Sequence, residues 1–343
     1  MIGVRERGEQ IRRFILEQVE KSPGDVTKTT SERFGITRQA VNKHLRRLVA
    51  EGVIRRSGKT RDTVYRLAPL SEWFRTYKIE SELAEDVVWT RDVRSVFGKL
   101  PDNVLDIWHY GFTEMFNNAI DHSSGETITV HIRQTATTTE MLISDDGIGI
   151  FRKIQAEMGL LDERHSILEL AKGKLTTDPA GHTGEGIFFT SRMFDLFDIL
   201  SGGIYFSHKF GDVEDWIMER HRPSRGTWVW MNLNNQTART AKRVFDRYAS
   251  GDNYGFAKTI VPVRLAQYGN DSLISRSQAK RLLARVELFE TVIFDFNEVE
   301  TIGPAFADEI FRVFSLRYPE ISLYSIHANS AVKRMIERAR SGS

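Results

Sequence analysis

Residues 114–122 read Glu-Met-Phe-Asn-Asn-Ala-Ile-Asp-His, and the order of polar and apolar side chains in this stretch decides how the centre of the chain folds. Glu114, Asn118 and Asp121 stand at i, i+4 and i+7, so on a helix they share one face while Phe112, Phe116 and Ile120 point elsewhere. A carboxylate and a carboxamide then face the same space. Apparent strands at 127–133 and 140–144 lead into Ser144-Asp145-Asp146-Gly147-Ile148-Gly149-Ile150, an acidic, glycine-rich turn. Residues 181–189, Gly-His-Thr-Gly-Glu-Gly-Ile-Phe-Phe, form a glycine loop opening a helix, where free backbone N–H groups and the helix dipole favour phosphate. The step Gly226-Thr227 runs into the strand-like stretch 228–233.

The 343 residues suggest two or three domains, and 27% charged with 41% hydrophobic residues exclude wholesale disorder. The absence of cysteine excludes a disulfide scaffold, a thiolate zinc site and a cysteine nucleophile. No apolar run approaches the ~18 residues of a membrane span. The start, with Arg5, Glu6, Arg7 and Glu9, is unlike a signal peptide, so the expected location is cytoplasmic, away from membranes. Net charge is +2 overall, but residues 1–70 carry 16 Lys+Arg against 8 Asp+Glu, leaving −6 for the rest. A basic N-terminal module facing a polyanion is the natural reading.

Within that module, Ile11, Phe14, Ile15 and Val19 imply a helix ending near Ser22-Pro23-Gly24, and a second helix fits 28–34. Gly35-Ile36 then turns the chain, Thr37 caps, and Ala40, Val41, Leu45, Leu48 and Val49 give a third helix its apolar face. Its other positions are Arg38, Gln39, Asn42, Lys43, Arg46 and Arg47, side chains suited to base edges and phosphates. Residues 53–56 and 63–66 flank Gly58-Lys59-Thr60-Arg61 as a hairpin would. The segment resembles a winged helix-turn-helix domain, which implies double-stranded DNA as partner and places Lys59 and Arg61 on the wing.

In their order, the central motifs resemble the nucleotide-binding domain shared by gyrase, the heat-shock chaperone ATPase, histidine kinases and mismatch-repair ATPases (the GHKL, Bergerat-like α/β sandwich), over about 105–235. The resemblance implies ATP and Mg²⁺ as cofactors, with Glu114 as the base that activates water and Asn118 as the Mg²⁺ ligand. It gives Asp145 the adenine amino group, places Asp121 and Thr227 near the nucleotide, and lets Gly147 and Gly149 permit close approach. Gly181, Gly184 and Gly186 become the phosphate loop, residues 151–180 the lid, and Lys172 or Lys174 a phosphate contact. Histidine kinases carry a phosphoacceptor His on a preceding hairpin. Here His109 is the sole His of residues 45–113 and Tyr110 follows it, which argues against histidine autophosphorylation.

Residues 71–104 read as a helical connector and 236–255 as a linker with a short helix at 240–248. Beyond it, strands at 258–266, 291–296 and 321–326 alternate with helices at 275–288, 304–317 and 329–340. This pattern over 256–343 resembles a STAS-type domain, the fold of anti-anti-sigma factors, and implies a protein partner. The family's phosphorylated hydroxyl is missing where the helix opens Gly303-Pro304-Ala305, with Thr301 the nearest hydroxyl. The expected fold is therefore a multidomain α+β chain: winged helix (1–70), connector, GHKL-type domain, linker and small STAS-like β/α domain. An ATP-switched, DNA-binding regulator leads the readings, with Mg-dependent ATP hydrolysis favoured and a homodimer compatible. An anti-sigma-like serine/threonine kinase acting on a partner and a nonhydrolysing ATP-dependent scaffold are the alternatives.

Overall fold

The computed structural model describes residues 4–58, 63–174, 185–211, 216–250, 255–267 and 272–342. The N-terminal module comprises helices α1 (Val4–Lys21), α2 (Val26–Phe34) and α3 (Arg38–Ala50) and strands β1 (Ile54–Ser57) and β2 (Val64–Leu67). Gly35 takes φ +60° to end α2, and Thr37 caps α3 by accepting the Ala40 N–H at 3.2 Å. The two strands pair antiparallel, Ile54 opposite Leu67 and Ser57 opposite Val64, as a wing requires. Ile11, Ile15, Val26, Val41, Leu45 and Leu48 belong to a core of this module's own. Val49 departs from the expected apolar face and is 37% exposed, because it stands at the edge of the line of Val41, Leu45 and Leu48, about 100° around the helix from Leu48.

The middle of the chain is built on a five-stranded antiparallel sheet. Its elements are β3 (Ser71–Lys78), α4 (Glu85–Val88) continuing through a π turn (Trp89–Val93) and a 3₁₀ turn (Arg94–Phe97), α5 (Asp102–His122), β4 (Thr127–Gln134), β5 (Thr138–Asp145), α6 (Ile150–Met158), α7 (Arg164–Lys172), α8 (Gly186–Met193), β6 (Leu196–Lys209) and β7 (Trp216–Asn234). The strands lie in the order β3-β4-β5-β7-β6. Alternation decides the faces: Val130, Met141, Ile143 and Met231 are buried on the side where α5 and α8 pack, whereas Trp228 and Trp230 are 40% and 45% exposed. Helix α5 turns Val104, Ile107, Trp108, Phe112 and Phe116 into the same core.

Two expectations about this region are corrected. Residues 71–78 are not helical but form an edge strand in register with β4, from Ser71 opposite Gln134 to Lys78 opposite Thr127. Trp73 and Tyr77 face inward at even spacing while Glu72, Phe74 and Thr76 are exposed, a period of two that the aromatic content obscures. The helical turns that follow place Val88, Trp89, Val93 and Phe97 in the main core, so 71–104 is part of the middle domain rather than a connector. Strand β6 has no counterpart among the expected strands: Gly202-Gly203 interrupts its alternation, and the sheet accommodates them by a register shift.

After β7 come α9 (Ala241–Tyr248), the two-residue strands β8 (Ala249–Ser250) and β9 (Gly255–Phe256), and a parallel sheet of β10 (Lys258–Pro262), β11 (Thr291–Asp295) and β12 (Ser322–Ile326) in that order. Around it lie α10 (Arg276–Leu283), α11 (Pro304–Asp308), a π turn (Glu309–Phe314), α12 (Ser315–Arg317) and α13 (Ser330–Ser341). The β/α alternation matches the expectation, although the helix expected over 275–288 ends early, where Arg285 adopts φ +64°. The described part of the expected linker, residues 236–250, is a packed joint rather than a spacer, with Val244 and Tyr248 buried. Phe256 meets Phe188 at 4.6 Å, Phe189 at 4.9 Å and Phe289 at 5.2 Å between ring centroids, so the middle and C-terminal domains share one hydrophobic core.

Candidate functional site

Helix α5 carries the site. Its polar face runs from Glu114 through Asn118 towards Ser123, a rise of roughly 14 Å at 1.5 Å per residue. At the first end the Glu114 carboxylate lies directly over Gly186, where α8 begins, and a Cβ added at Gly186 would overlap it. The glycine therefore lets a helix N-terminus and a carboxylate share one space. Tyr110, one turn earlier on α5, belongs to the same group: burial, and then the Glu114 and Glu185 carboxylates, push its phenol well above its usual range. Burial likewise raises Glu185. Sequence reading passed over Tyr110 and Glu185, for which the i−4 spacing to Glu114 and the adjacency to Gly186 were the available signals.

At the other end, the acidic turn after β5 clips onto the end of α5. The Ile148 N–H donates to the Ser123 carbonyl at 2.9 Å, and a Cβ on Gly147 would overlap that carbonyl. Asp145 Oδ1 accepts the N–H groups of Gly147 (2.9 Å) and Thr227 (3.2 Å), while Thr227 Oγ1 accepts the Ile150 N–H at 3.0 Å. Asp145, Gly147 and Thr227 thus converge from separate strands and loops. Burial pushes the Asp145 carboxyl above the usual carboxylate range, against the pull of those N–H donors. The neighbouring Asp146 carboxylate serves the backbone instead, accepting the N–H groups of Thr127 (3.0 Å) and Glu126 (2.7 Å), which hold it below the usual range. Gly149, at φ +91°, lies against Ser201 of β6. Between the two ends, Asn118 keeps a buried amide nitrogen without a hydrogen-bond partner among the described residues, while Asp121 is exposed.

The expected phosphate contact of Lys172 or Lys174 is corrected by their surroundings. The Lys172 ammonium is buried and has three acceptors, Glu169 Oε1 at 2.7 Å and the carbonyls of Arg281 (3.1 Å) and Ala284 (2.8 Å). Lys174 donates to the Leu288 carbonyl at 2.9 Å and stands over the Phe289 ring at 4.8 Å. Both lysines bind the C-terminal domain, which an amphipathic pattern could not reveal. Gly181 and Gly184 lie outside the described residues. Among the described residues no group of three or more His, Asp or Glu side chains could hold a metal by itself. His109 stacks on Trp89 at 4.9 Å, a packing role.

The second surface is the outer face of α3. Arg38, Gln39, Lys43 and Arg46 are exposed and Asn42 is half-buried, whereas Val41, Leu45 and Leu48 face the core. Arg47 is exposed but tied to Glu51 at 2.8 Å, and Arg12 reaches the same carboxylate at 2.5 Å. Burial, followed by the charges of Arg47, Lys43 and Arg12, pulls His44 below its ordinary value, as a dense cationic face should. Lys59 and Arg61 lie outside the described residues.

Two family models match parts of the chain. Residues 10–55 match a winged helix-turn-helix DNA-binding family. Residues 278–333 match a STAS-like domain of unknown function (DUF4325). No curated protein matches the sequence. The chain is therefore a multidomain α+β protein with a winged helix-turn-helix at one end and a STAS-like domain at the other, joined by a sheet-rich α/β domain. The winged helix supports a DNA-binding regulator, and among the described residues no helix is long and apolar enough to cross a membrane. In the STAS-like domain, α11 begins at Pro304 without a hydroxyl in its first turn, and Asn329 caps α13 while donating to the Val299 and Glu300 carbonyls at 3.1 and 2.9 Å.

Proposed function

We propose that this chain is a DNA-binding regulator whose middle domain takes Mg-ATP and passes its occupancy to the two flanking domains. The observation that carries this is the alignment along one face of α5: the Asp145–Gly147–Thr227 cluster at one end, Glu114 over Gly186 at the other, and the Asn118 side chain, its amide nitrogen without a partner among the described residues, between them. The donor set fits the group. Asp145 would accept the adenine amino group, Gly147 lets the turn that carries Asp145 close onto the end of α5, and Asn118 would offer a hard amide oxygen to Mg²⁺. Bound Mg²⁺ would neutralise phosphate charge. Glu114, one turn from Asn118, would take a proton from an attacking water, and the first N–H groups of α8 face the same space.

Both flanking domains are attached tightly enough to feel a change there. Lys172 and Lys174 close the segment 151–174 and hold the carbonyls of Arg281, Ala284 and Leu288. On the other side the wing runs into β3 through Ala68-Pro69-Leu70, where the Ala68 N–H donates to Val53 O (2.9 Å) and the Leu70 N–H to Gln134 O (2.7 Å). A lid that shifts on nucleotide binding would pull on one domain, and a sheet that twists would turn the other.

Asp145→Asn tests the base end. Loss of a charge-assisted bond should weaken nucleotide binding by about 1.5–3 kcal/mol in calorimetry. The variant should not be less stable. The folded state raises this carboxyl's pKa, so wild-type stability falls as pH rises through the raised value, and a neutral Asn escapes that loss. Unchanged affinity in a stable variant removes Asp145 from the site.

The DNA face is tested on the full chain. Arg46→Ala should lower affinity for all duplexes and reduce the salt slope by about 0.9, because one phosphate contact goes. Arg47→Ala should do less, since Glu51 already competes for that guanidinium. Arg38→Ala, Gln39→Ala and Asn42→Ala, near the helix start, should relax base preference. A salt-independent affinity in fluorescence anisotropy would contradict this face.

A further inference from the structure

A second cavity, of about 680 Å³, opens where the middle and C-terminal domains meet, and it shares none of the residues assigned above. Its floor is the carboxyl edge of the parallel sheet: Pro262 ends β10, Asp295 ends β11, and Ile326 and His327 follow from β12. Parallel sheets characteristically receive ligands at this edge, and domain junctions of this volume are the usual place for small molecules. Its opposite wall carries four arginines, Arg192 from α8, Arg239 before α9, and Arg243 and Arg247 on α9.

The charge balance is one-sided. Asp295 is the one carboxylate among the described lining residues, and it is already engaged by His327 Nδ1 at 2.8 Å and by the Asn297 N–H at 2.9 Å. Arg192 lies flat on Phe188 at 3.6 Å and donates to Phe188 O and Ser191 Oγ at 3.1 and 2.8 Å. Arg239 lies on Phe210 at 3.5 Å and is held by Asp195 at 2.8 Å, with a buried Nε–H that meets no acceptor among the described residues. These two guanidinium planes are fixed before any ligand arrives. Arg243 and Arg247, one turn apart and exposed, have no anionic partner among the described residues. Four arginines, two of them locked in place, gathered with Asp195 and Asp295 as the carboxylates at the cleft among the described residues, favour a multivalent anion, and the guanidinium fork matches phosphate oxygens in pairs.

We infer that this cleft binds a small molecule bearing a phosphate or pyrophosphate group, at a site distinct from the nucleotide site proposed above. Helix α8 links the two, with Gly186 at its start beneath Glu114 and Arg192 near its end in the cleft. An extended nucleic acid is the lesser fit, because the arginines are gathered about one pocket instead of being strung along a ridge.

The test is calorimetry of the full chain with inorganic pyrophosphate at constant ionic strength, without Mg²⁺ and without nucleotide. Saturable binding is expected, weakened about tenfold or more in Arg243→Ala/Arg247→Ala and only partly restored in Arg243→Lys/Arg247→Lys, since lysine keeps charge but loses the fork. Absence of binding to wild type, or equal affinity in the alanine variant, overturns the assignment. So does an alanine variant that loses duplex DNA affinity while keeping pyrophosphate, which would give the cleft to nucleic acid.

Discussion

Replacing Glu114 by Gln is expected to leave nucleotide binding intact and to reduce phosphate release by roughly 10²–10⁴-fold, the usual worth of a positioned proton acceptor. The amide retains the shape that fits above Gly186, so the junction of α5 and α8 should survive, and the loss should appear in turnover rather than in affinity. Glu114→Ala is the less informative change, because it also empties the space against the glycine. Tyr110 and Glu185 stand close enough to modify the outcome, and a Gln variant retaining wild-type turnover would transfer the proton acceptor to that neighbourhood. Nucleotide binding without any phosphate release by the wild type would make the chain an ATP-dependent scaffold, with Glu114 serving the joint alone.

Lys172→Met is expected to lower stability by about 3–5 kcal/mol, the cost of stranding one member of a buried ion pair. The ammonium is almost wholly buried, and although burial pulls its pKa below the ordinary lysine value, the Glu169 carboxylate opposes that pull. Glu169 Oε2 is buried and has no hydrogen-bond partner among the described residues, so removal of the cation leaves a carboxylate with little to offset its desolvation. The Arg281 and Ala284 carbonyls lose their donor at the same time. The double variant Lys172→Met/Glu169→Leu should recover the part of the loss that comes from the stranded carboxylate, since an apolar pair carries no charge to desolvate, while the Arg281 and Ala284 carbonyls remain without their donor. Urea denaturation followed by tryptophan fluorescence and by far-ultraviolet circular dichroism distinguishes a loosened domain joint from global unfolding. A single-variant cost below about 1 kcal/mol would mean that the pair is solvated and that the lid segment is not anchored through it.

Local patterns were readable wherever one element answers to one neighbour. The winged helix is such a case: Gly35, Thr37 and the Val41, Leu45, Leu48 line each act within a few residues, and the structure places all of them as the sequence implies. The β/α alternation after residue 256 is another, because buried parallel strands are short apolar runs between helices with their own caps, Ser275 and Asn329 among them. Strands β3 and β6 were harder, since an edge strand rich in aromatics and a strand interrupted by Gly202-Gly203 both lack the clean alternation of a half-buried strand.

By itself the sequence determined the α5 face, on which Glu114 and Asn118 must lie together because helical geometry leaves no other choice at that spacing. It also determined the acidic turn after β5 and the cationic face of α3. Only the tertiary structure decided that Asp145 meets Thr227, a residue from a strand 82 positions later, and that Asp146 beside it binds backbone N–H groups. The same holds for Lys172 and Lys174, whose charge suggested phosphate but whose acceptors come from the C-terminal domain. It holds equally for the arginine-lined cleft, assembled from residues between 192 and 327. The physical reason is one of range: spacing along a helix or strand fixes which side chains share a face, whereas the partner across that face is set by long-range packing, which no local period encodes.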